Sequence, residues 1–217
     1  MPIAKIDARV SSLSNEDSPS APPLWGLVLA GGESRRMGRD KGRLAYFGEP
    51  QASRAWRMLE SVCPRAFVSV RPEQAGAEPY SQLPYIVDDD TAKGPVAGVL
   101  AAWAQWEGVA WLLLAADMPF VDEAMLRELI RARDPTALAT AFRHRGGAPE
   151  PLCTIWEPRA HPAVLGRARA RERSLRGLLE ASPVRWVDPP DASRLASVNT
   201  PEDYERVRAA LGPSRAP

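Results

Sequence analysis

The chain has 217 residues, of which 45% are hydrophobic and 25% charged, and its formal net charge is +1. This length suits one α/β domain, and the near-zero charge gives no reason to expect nucleic acid or an anionic membrane as a partner. Cys63 and Cys153 are the only cysteines and lie far apart, which argues against a disulfide framework or a zinc site and fits a reducing cytoplasm. No stretch approaches the ~20 apolar residues of a membrane-spanning helix.

Residues 1–23 are predicted to be a disordered leader. They are rich in serine and proline and contain no apolar segment of the kind found in secretory signals. We therefore expect the folded domain to comprise residues 24–212.

The domain is predicted to begin with a buried strand that runs into a glycine turn. Residues 26–30 are apolar, and Gly31 and Gly32 follow at once. Two residues without a Cβ let a ligand lie on the main chain, and successive N–H groups after a buried strand form a concave site for phosphate oxygens. The cations that follow are Arg35, Arg36, Arg39 and Lys41. The glycine spacing excludes both the P-loop and the dinucleotide-binding motif. The glycine pair and the cations, taken alone, could also form an ordinary turn with a solvated basic loop.

Strands and helices alternate along the rest of the chain. Strands are predicted at 66–70, 85–87, 111–116 and 137–142, another strand is predicted to end at Trp156, and a short extended piece is predicted at 44–47. Helices are predicted at 51–62, 96–106, 162–170 and 174–181. Two more helices are predicted, one that begins after Asp122 and one that begins at Pro201. Strand–helix–strand units give right-handed crossovers, and ligands bind beyond the carboxyl ends of such strands. Functional side chains are therefore expected just after each strand.

Asp117 follows the most apolar of these strands. A carboxylate is costly to bury unless it is paired or coordinates a cation, so its position indicates a metal ligand. The alternative role, a helix N-cap, is better suited to Asp122. Mg²⁺ commonly takes one or two carboxylates together with substrate phosphates, so a single aspartate is sufficient.

Several strings together resemble the nucleotidyltransferase family that includes molybdenum cofactor guanylyltransferase. They are Leu29–Gly32, Arg36–Gly38, Asp40-Lys41, Gly94–Gly98, Ala116–Pro119 and Val198–Glu202, and the resemblance runs from about Leu24 to Leu211. It implies a Rossmann-like, three-layer α/β/α fold with a mostly parallel sheet. It also implies transfer of a nucleoside monophosphate from an NTP, with Mg²⁺, to a phosphorylated acceptor. Guanine is the expected base, because the related cytidylyltransferases usually have Ala-Ala-Gly where this chain has Ala30-Gly31-Gly32.

The resemblance also implies which residues form the site. The expected nucleotide-binding residues are Leu29, Ala30, Gly31, Gly32, Lys41, Ser69, Asp88, Asp117 and Asn199; the expected catalytic residues are Arg36, Lys41 and Asp117, and Asp117 is the expected Mg²⁺ ligand. Asp88 would contact the guanine or ribose if one residue is deleted here, and Asp89 if two are; we choose Asp88. Ser69 could equally have a structural role, as a capping hydroxyl at the end of its strand, instead of contacting the nucleotide.

The expected substrates are GTP and molybdopterin or the molybdenum cofactor, and transient contact with cofactor-delivery proteins is also considered. The chain has Glu150-Pro151 where many guanylyltransferases of the family have His-Pro, which leaves the identity of the acceptor open. One alternative is a related enzyme that uses CTP or a sugar phosphate. Another is a non-catalytic, nucleotide-binding regulator, because a fold does not fix a function.

Overall fold

The computed structural model describes residues 21–32, 37–88, 92–144, 146–172 and 174–211. Residues 1–20 of the predicted leader, the predicted catalytic Arg36 and the alternative carboxylate Asp89 lie outside these ranges. The described strands form one seven-stranded sheet in the order β3-β2-β1-β4-β6-β5-β7. The strands are β1 (Leu24–Leu29), β2 (Ala66–Val70), β3 (Tyr85–Val87), β4 (Ala110–Ala115), β5 (Ala139–Arg143), β6 (Pro149–Trp156) and β7 (Val184–Val187).

Strand β6 is antiparallel to both of its neighbours, and all the other strand pairs are parallel. All six residues of β4 are buried, as expected for a strand that is covered on both faces. The mostly parallel sheet predicted from the sequence is confirmed.

Helices cover both faces of the sheet. They are α1 (Gln51–Glu60), α2 (Pro95–Gln105), α3 (Glu123–Arg131), α4 (His161–Arg169), α5 (Leu175–Glu180) and α6 (Pro201–Leu211). The buried side chains of α1 and α3 belong to one core cluster, and those of α2, α4 and α5 belong to a second. These two clusters on either side of the sheet make the predicted three-layer α/β/α architecture. No described helix combines the length and the apolar character that crossing a membrane requires.

The extended piece predicted at residues 44–47 is present only in part. Ala45 forms one antiparallel bridge with Pro50, and a short 3₁₀ helix, Lys41–Arg43, comes before it. The Asp40 side chain caps this helix by accepting a hydrogen bond from the backbone N–H of Gly42. The cap fixes the turn from which the Lys41 side chain extends.

Helix α6 packs against the segment that carries Lys41. A small third core cluster contains Met37, Leu44, Tyr46, Val198 and Val207. The predicted N-terminal capping of α6 is confirmed, because the backbone N–H of Asp203 donates to Thr200 Oγ1 and the backbone N–H of Thr200 donates to Asp203 Oδ2. Just before this cap, the backbone N–H of Val198 donates to the carbonyl of Asp117 at 2.8 Å, which brings the start of α6 to the end of β4.

Candidate active site

A cleft of about 560 Å³, counting its open mouth, lies at the carboxyl ends of β1, β2 and β4. It is lined by Leu29, Ala30, Gly31, Gly32, Lys41, Ser69, Asp88, Gly94, Pro95, Ala115, Ala116, Asp117 and Leu152. Every predicted nucleotide-binding residue except Asn199 lines this cleft, and Asn199 adjoins it through a contact with Lys41. The position agrees with the rule that open α/β sheets bind ligands beyond the ends of parallel strands.

Three polar side chains from distant parts of the chain meet at the cleft. Lys41 Nζ lies 2.8 Å from Asp117 Oδ2 and 2.7 Å from Asn199 Oδ1. Lys41 follows the glycine loop, Asp117 follows β4, and Asn199 comes just before α6. Because Asp117 and Asn199 accept from the same ammonium group, they fix its direction within the cleft.

Asp117 and Asn199 suit a hard divalent cation. Asp117 Oδ1 is buried and has no hydrogen-bond partner among the described residues, a costly state for a carboxylate oxygen that a cation would relieve. Both side chains offer oxygen atoms, the ligand type that Mg²⁺ prefers. The described residues contain no group of three or more His, Cys, Asp and Glu side chains that could hold a metal. Substrate phosphates and water would therefore have to complete the coordination.

Gly31 is packed directly against Asp88. A Cβ at Gly31 would lie 2.1 Å from Asp88 Oδ2, so no other residue fits here without displacing the carboxylate. Ser69 Oγ donates a hydrogen bond to Asp88 Oδ1. Burial raises the pKa of Asp88, although the bond from Ser69 and the charge of Arg71 act in the opposite direction. The chosen carboxylate thus lies in the cleft beside the glycine turn.

Gly32 lines the cleft next to Gly31. Apart from its chain neighbours, none of the residues that the structure describes has an atom within 4 Å of the position that a Cβ of Gly32 would occupy. Arg71, at the end of β2, donates from Nη1 to the Gly32 carbonyl at 3.0 Å. This contact anchors the glycine turn and leaves a guanidinium group next to it.

The start of α2 forms another wall of the cleft. Gly94 caps the helix with a φ of 66°, a conformation that favours glycine, and Pro95 is its first residue. A helix start attracts anions through its free N–H groups and its dipole. Gly94 and Pro95 belong to a family-like string but are not among the predicted site residues. Leu152, from β6, has no sequence feature that marks it as a site residue.

The histidines and cysteines of the chain lie in structural surroundings and do not line the cleft. His144 Nε2 contacts Glu150 Oε2 at 2.9 Å, and His161 packs against the ring of Trp103. Both cysteines are free and buried, and burial raises the pKa of Cys63 to about 12. A thiol so far from ionisation is a poor nucleophile.

Residues 26–186 match the family model described as the MobA-like NTP transferase domain. The chain belongs to this family. The family recognised from the sequence is therefore confirmed, and the match spans β1 to β7, including Lys41, Asp88 and Asp117 within the cleft.

Named relatives agree with this membership. A molybdenum cofactor guanylyltransferase of Pseudomonas putida is 31% identical over 83% of this chain and 95% of its own length. A molybdenum cofactor biosynthesis bifunctional protein of Synechocystis is 33% identical over 87% of this chain, which spans 54% of that longer protein.

A solved structure supports the fold. Molybdopterin-guanine dinucleotide biosynthesis protein A from Archaeoglobus fulgidus superposes with a TM-score of 0.66 at 23% identity, covering 85% of this chain and 97% of that one. The MobA-like NTP transferase fold thus accounts for nearly the whole described chain.

Proposed function

We propose that this chain transfers GMP from GTP to the terminal phosphate of molybdopterin or the molybdenum cofactor, with Mg²⁺, and releases pyrophosphate. The observation that carries the proposal is the meeting of Lys41, Asp117 and the Gly31-Gly32 turn in one cleft. The names of the relatives support the choice of base and acceptor. Both substrates carry phosphate groups, which suits a cleft lined by a cation, a glycine turn and a helix start.

The reaction joins two phosphates. An oxygen of the acceptor's terminal phosphate attacks the α-phosphorus of GTP in line, and the bond from that phosphorus to the oxygen bridging the α- and β-phosphates breaks. Such chemistry asks the protein mainly for positioning and charge neutralisation. Asp117 and Asn199 would hold Mg²⁺, which neutralises phosphate charge when it is bound.

The chain's own groups supply the remaining stabilisation. The N–H groups of the Gly31-Gly32 turn hold phosphate oxygens, and the start of α2 adds a favourable dipole. The ammonium group of Lys41, held in direction by Asp117 and Asn199, stabilises the charge on the α-phosphate and the leaving pyrophosphate. We assign Arg36 the same kind of role on sequence grounds.

Asp88 is proposed to hold the guanine or ribose edge, with Ser69 orienting its carboxylate. We further propose that residues 24–212 form the catalytic domain. The free state of both cysteines supports a reducing cytoplasm as the place of action, and proteins that deliver the cofactor would be transient partners.

The test is mass spectrometry of the products after incubation with Mg²⁺, GTP and molybdopterin, with pyrophosphate measured in parallel. We expect the guanine dinucleotide form and one pyrophosphate for each GTP consumed, and no product from Asp117→Asn. CTP in place of GTP is the specificity control. Turnover with CTP alone, or GTP binding with no product from any phosphorylated pterin, would contradict the proposal and favour one of the two alternatives.

A further inference from the structure

Outside the cleft, a buried polar network joins the two ends of the nucleotide loop, residues 30–41. Gln74 lies in the connection between β2 and β3, and its relative exposure is only 3%. Its Nε2 donates to Asp40 Oδ2 at 2.8 Å and to the Ala30 carbonyl at 3.3 Å. One side-chain amide therefore contacts the residue before Gly31 and the residue before Lys41.

Tyr80 completes the network from the same connection. It is fully buried, and its hydroxyl donates to Asp40 Oδ1 at 2.8 Å. That oxygen also accepts from the backbone N–H of Gly42, which starts the turn carrying Lys41. A Cβ at Gly42 would lie 2.3 Å from the tyrosine hydroxyl, so the turn and the ring are in direct contact.

The orientation of the Gln74 amide is determined by its neighbours. Its Oε1 accepts from the backbone N–H of Arg71 at 2.9 Å, while its Nε2 faces Asp40 Oδ2 and the Ala30 carbonyl, which are both acceptors. Reversing the amide would place oxygen against oxygen and N–H against N–H. Gln74 thus fits this place only as a donor to both ends of the loop.

From this geometry we propose that Gln74 is a positioning residue for nucleotide transfer, with Tyr80 as its support. Gln74 sets the separation between the Gly31-Gly32 turn and Lys41, so that both reach the same polyphosphate. This inference rests on the proposed function, because it assumes that the cleft binds Mg·GTP. Displacing groups that bind the reacting phosphates by about 1 Å can cost on the order of 10²-fold in rate.

Gln74→Met tests the proposal, because methionine keeps the length of the side chain and removes every polar contact. We expect about a 10-fold rise in the Kd of Mg·GTP, measured by calorimetry, and about a 10-fold fall in kcat. Gln82→Met is the matched control. Gln82 is an exposed glutamine of the same connection that contacts Glu78, so both constants should stay within about twofold of wild type.

A charge exchange then isolates the contact between residues 74 and 40. Gln74→Glu places a carboxylate against Asp40 and should weaken Mg·GTP binding. Adding Asp40→Asn restores a donor–acceptor pair at residue 40 but leaves the new carboxylate against the Ala30 carbonyl, so the double variant should recover part of the affinity that Gln74→Glu loses. Tyr80→Phe serves as an independent variant if Gln74→Met does not fold, and it should also raise the Kd of Mg·GTP.

The outcomes separate this inference from the proposed function. If wild type binds and turns over Mg·GTP while Gln74→Met only unfolds more easily, with unchanged Kd and kcat, Gln74 has a purely structural role and the inference is overturned. Absence of rescue in the double variant would also overturn it. A wild type that does not bind Mg·GTP would overturn the proposed function, and this inference with it.

Discussion

At the scale of single residues, Lys41 joins two other predicted site residues. Its ammonium group contacts Asp117 and Asn199, and Lys41 lines the same cleft as Gly31 and Gly32. The sequence predicted all three residues as parts of one site, because each belonged to a family-like string at the end of a predicted element. It could not predict that one ammonium group joins the other two, since the contacts span 76 and 158 positions.

Lys41→Met is expected to affect turnover and metal binding in opposite directions. Loss of an electrostatic stabiliser should lower GTP turnover by about 10²–10³-fold, measured as pyrophosphate release. Without the ammonium group beside Asp117 Oδ2, Mn²⁺ should bind the nucleotide-free protein more tightly, as measured by electron paramagnetic resonance. Asp117→Asn is the control and should lose both GTP turnover and Mn²⁺ binding. Weaker Mn²⁺ binding by Lys41→Met would contradict a role for Asp117 as the metal ligand.

Asp88→Asn is expected to stabilise the fold and weaken GTP binding. Because burial raises the folded-state pKa of Asp88, keeping it ionised costs stability as the pH rises through that pKa. Asparagine removes this cost and can still accept the bond from Ser69. Urea unfolding should show the variant to be more stable at about pH 7, and the difference should vanish below about pH 4, where the unfolded carboxyl is protonated. An equal difference at both pH values would show that the titration of Asp88 is not its cause.

At the scale of elements, the packing of α2 on β2 sets the shape of the cleft. Gly98 faces Ser69, and a Cβ on Gly98 would lie 2.2 Å from Ser69 Oγ and 2.9 Å from Ser69 Cβ. In the sequence, Gly98 is part of the family-like Gly94–Gly98 string, and the structure places it where the helix approaches the strand most closely. The helix start and the Ser69–Asp88 pair are therefore held together by this close approach.

Gly98→Ala should push α2 away from β2. We expect the free energy of unfolding to fall by about 1–3 kcal/mol, as for other overpacked sites, and the Kd of Mg·GTP to rise. Gly166→Ala, in α4, is the control because, outside its own helix, no atom of the described part of the chain lies within 4 Å of its Cβ position. It should raise stability by roughly 0.5–1 kcal/mol through lower entropy of the unfolded chain. Denaturant titrations compare the two, and equal effects would contradict close packing at Gly98.

The sequence predicted elements well where periodicity was strong. Strands β2 and β3 have the predicted bounds, and α1 ends at Glu60, two residues before the predicted end. Strand β7 was missed because it is a four-residue edge strand in which only Val187 is buried. The Lys41–Arg43 turn was missed because its hydrogen bonds come from Asp40, a local cap without an apolar pattern.

At the scale of the whole molecule, a buried ion pair lies at the end of the central strands opposite the cleft. Arg133 Nε lies 2.7 Å from Oε1 of Glu157, a fully buried side chain, and Nη2 donates to the Pro22 carbonyl. Glu157 follows β6 where that strand pairs with the start of β4, far from the carboxyl ends that form the cleft. The pair joins the beginning of the described chain to the end of α3 and to β6.

Arg133→Met should therefore destabilise the fold and leave the site unchanged. Removing one partner leaves Glu157 buried and unpaired, which costs about 3–5 kcal/mol. Arg127→Met, which breaks an exposed pair with Glu123, should change stability far less, because solvent screens that pair. The readouts are denaturant unfolding and, for the folded protein, the Kd of Mg·GTP. A large rise in that Kd would contradict the separation of this ion pair from the cleft.

The sequence predicted the fold class, but it did not predict the order and direction of every strand. Alternating elements indicated strand–helix–strand crossovers and the family resemblance implied a mostly parallel sheet, but nothing local indicates that β6 is inserted antiparallel between β4 and β5. The same applies to Gln74, which reads as an ordinary polar residue of a loop until the fold brings it to Ala30 and Asp40. Long-range register, rather than propensity, decides such contacts.

The most direct test of the proposed site is a crystal structure with Mg²⁺ and a non-hydrolysable GTP analogue. We predict that the triphosphate lies against the main chain of Gly31 and Gly32, with Lys41 Nζ within hydrogen-bonding distance of a phosphate oxygen and the metal bound to Asp117. An analogue whose phosphates lie outside this cleft, or a metal bound without Asp117, would contradict the assignment.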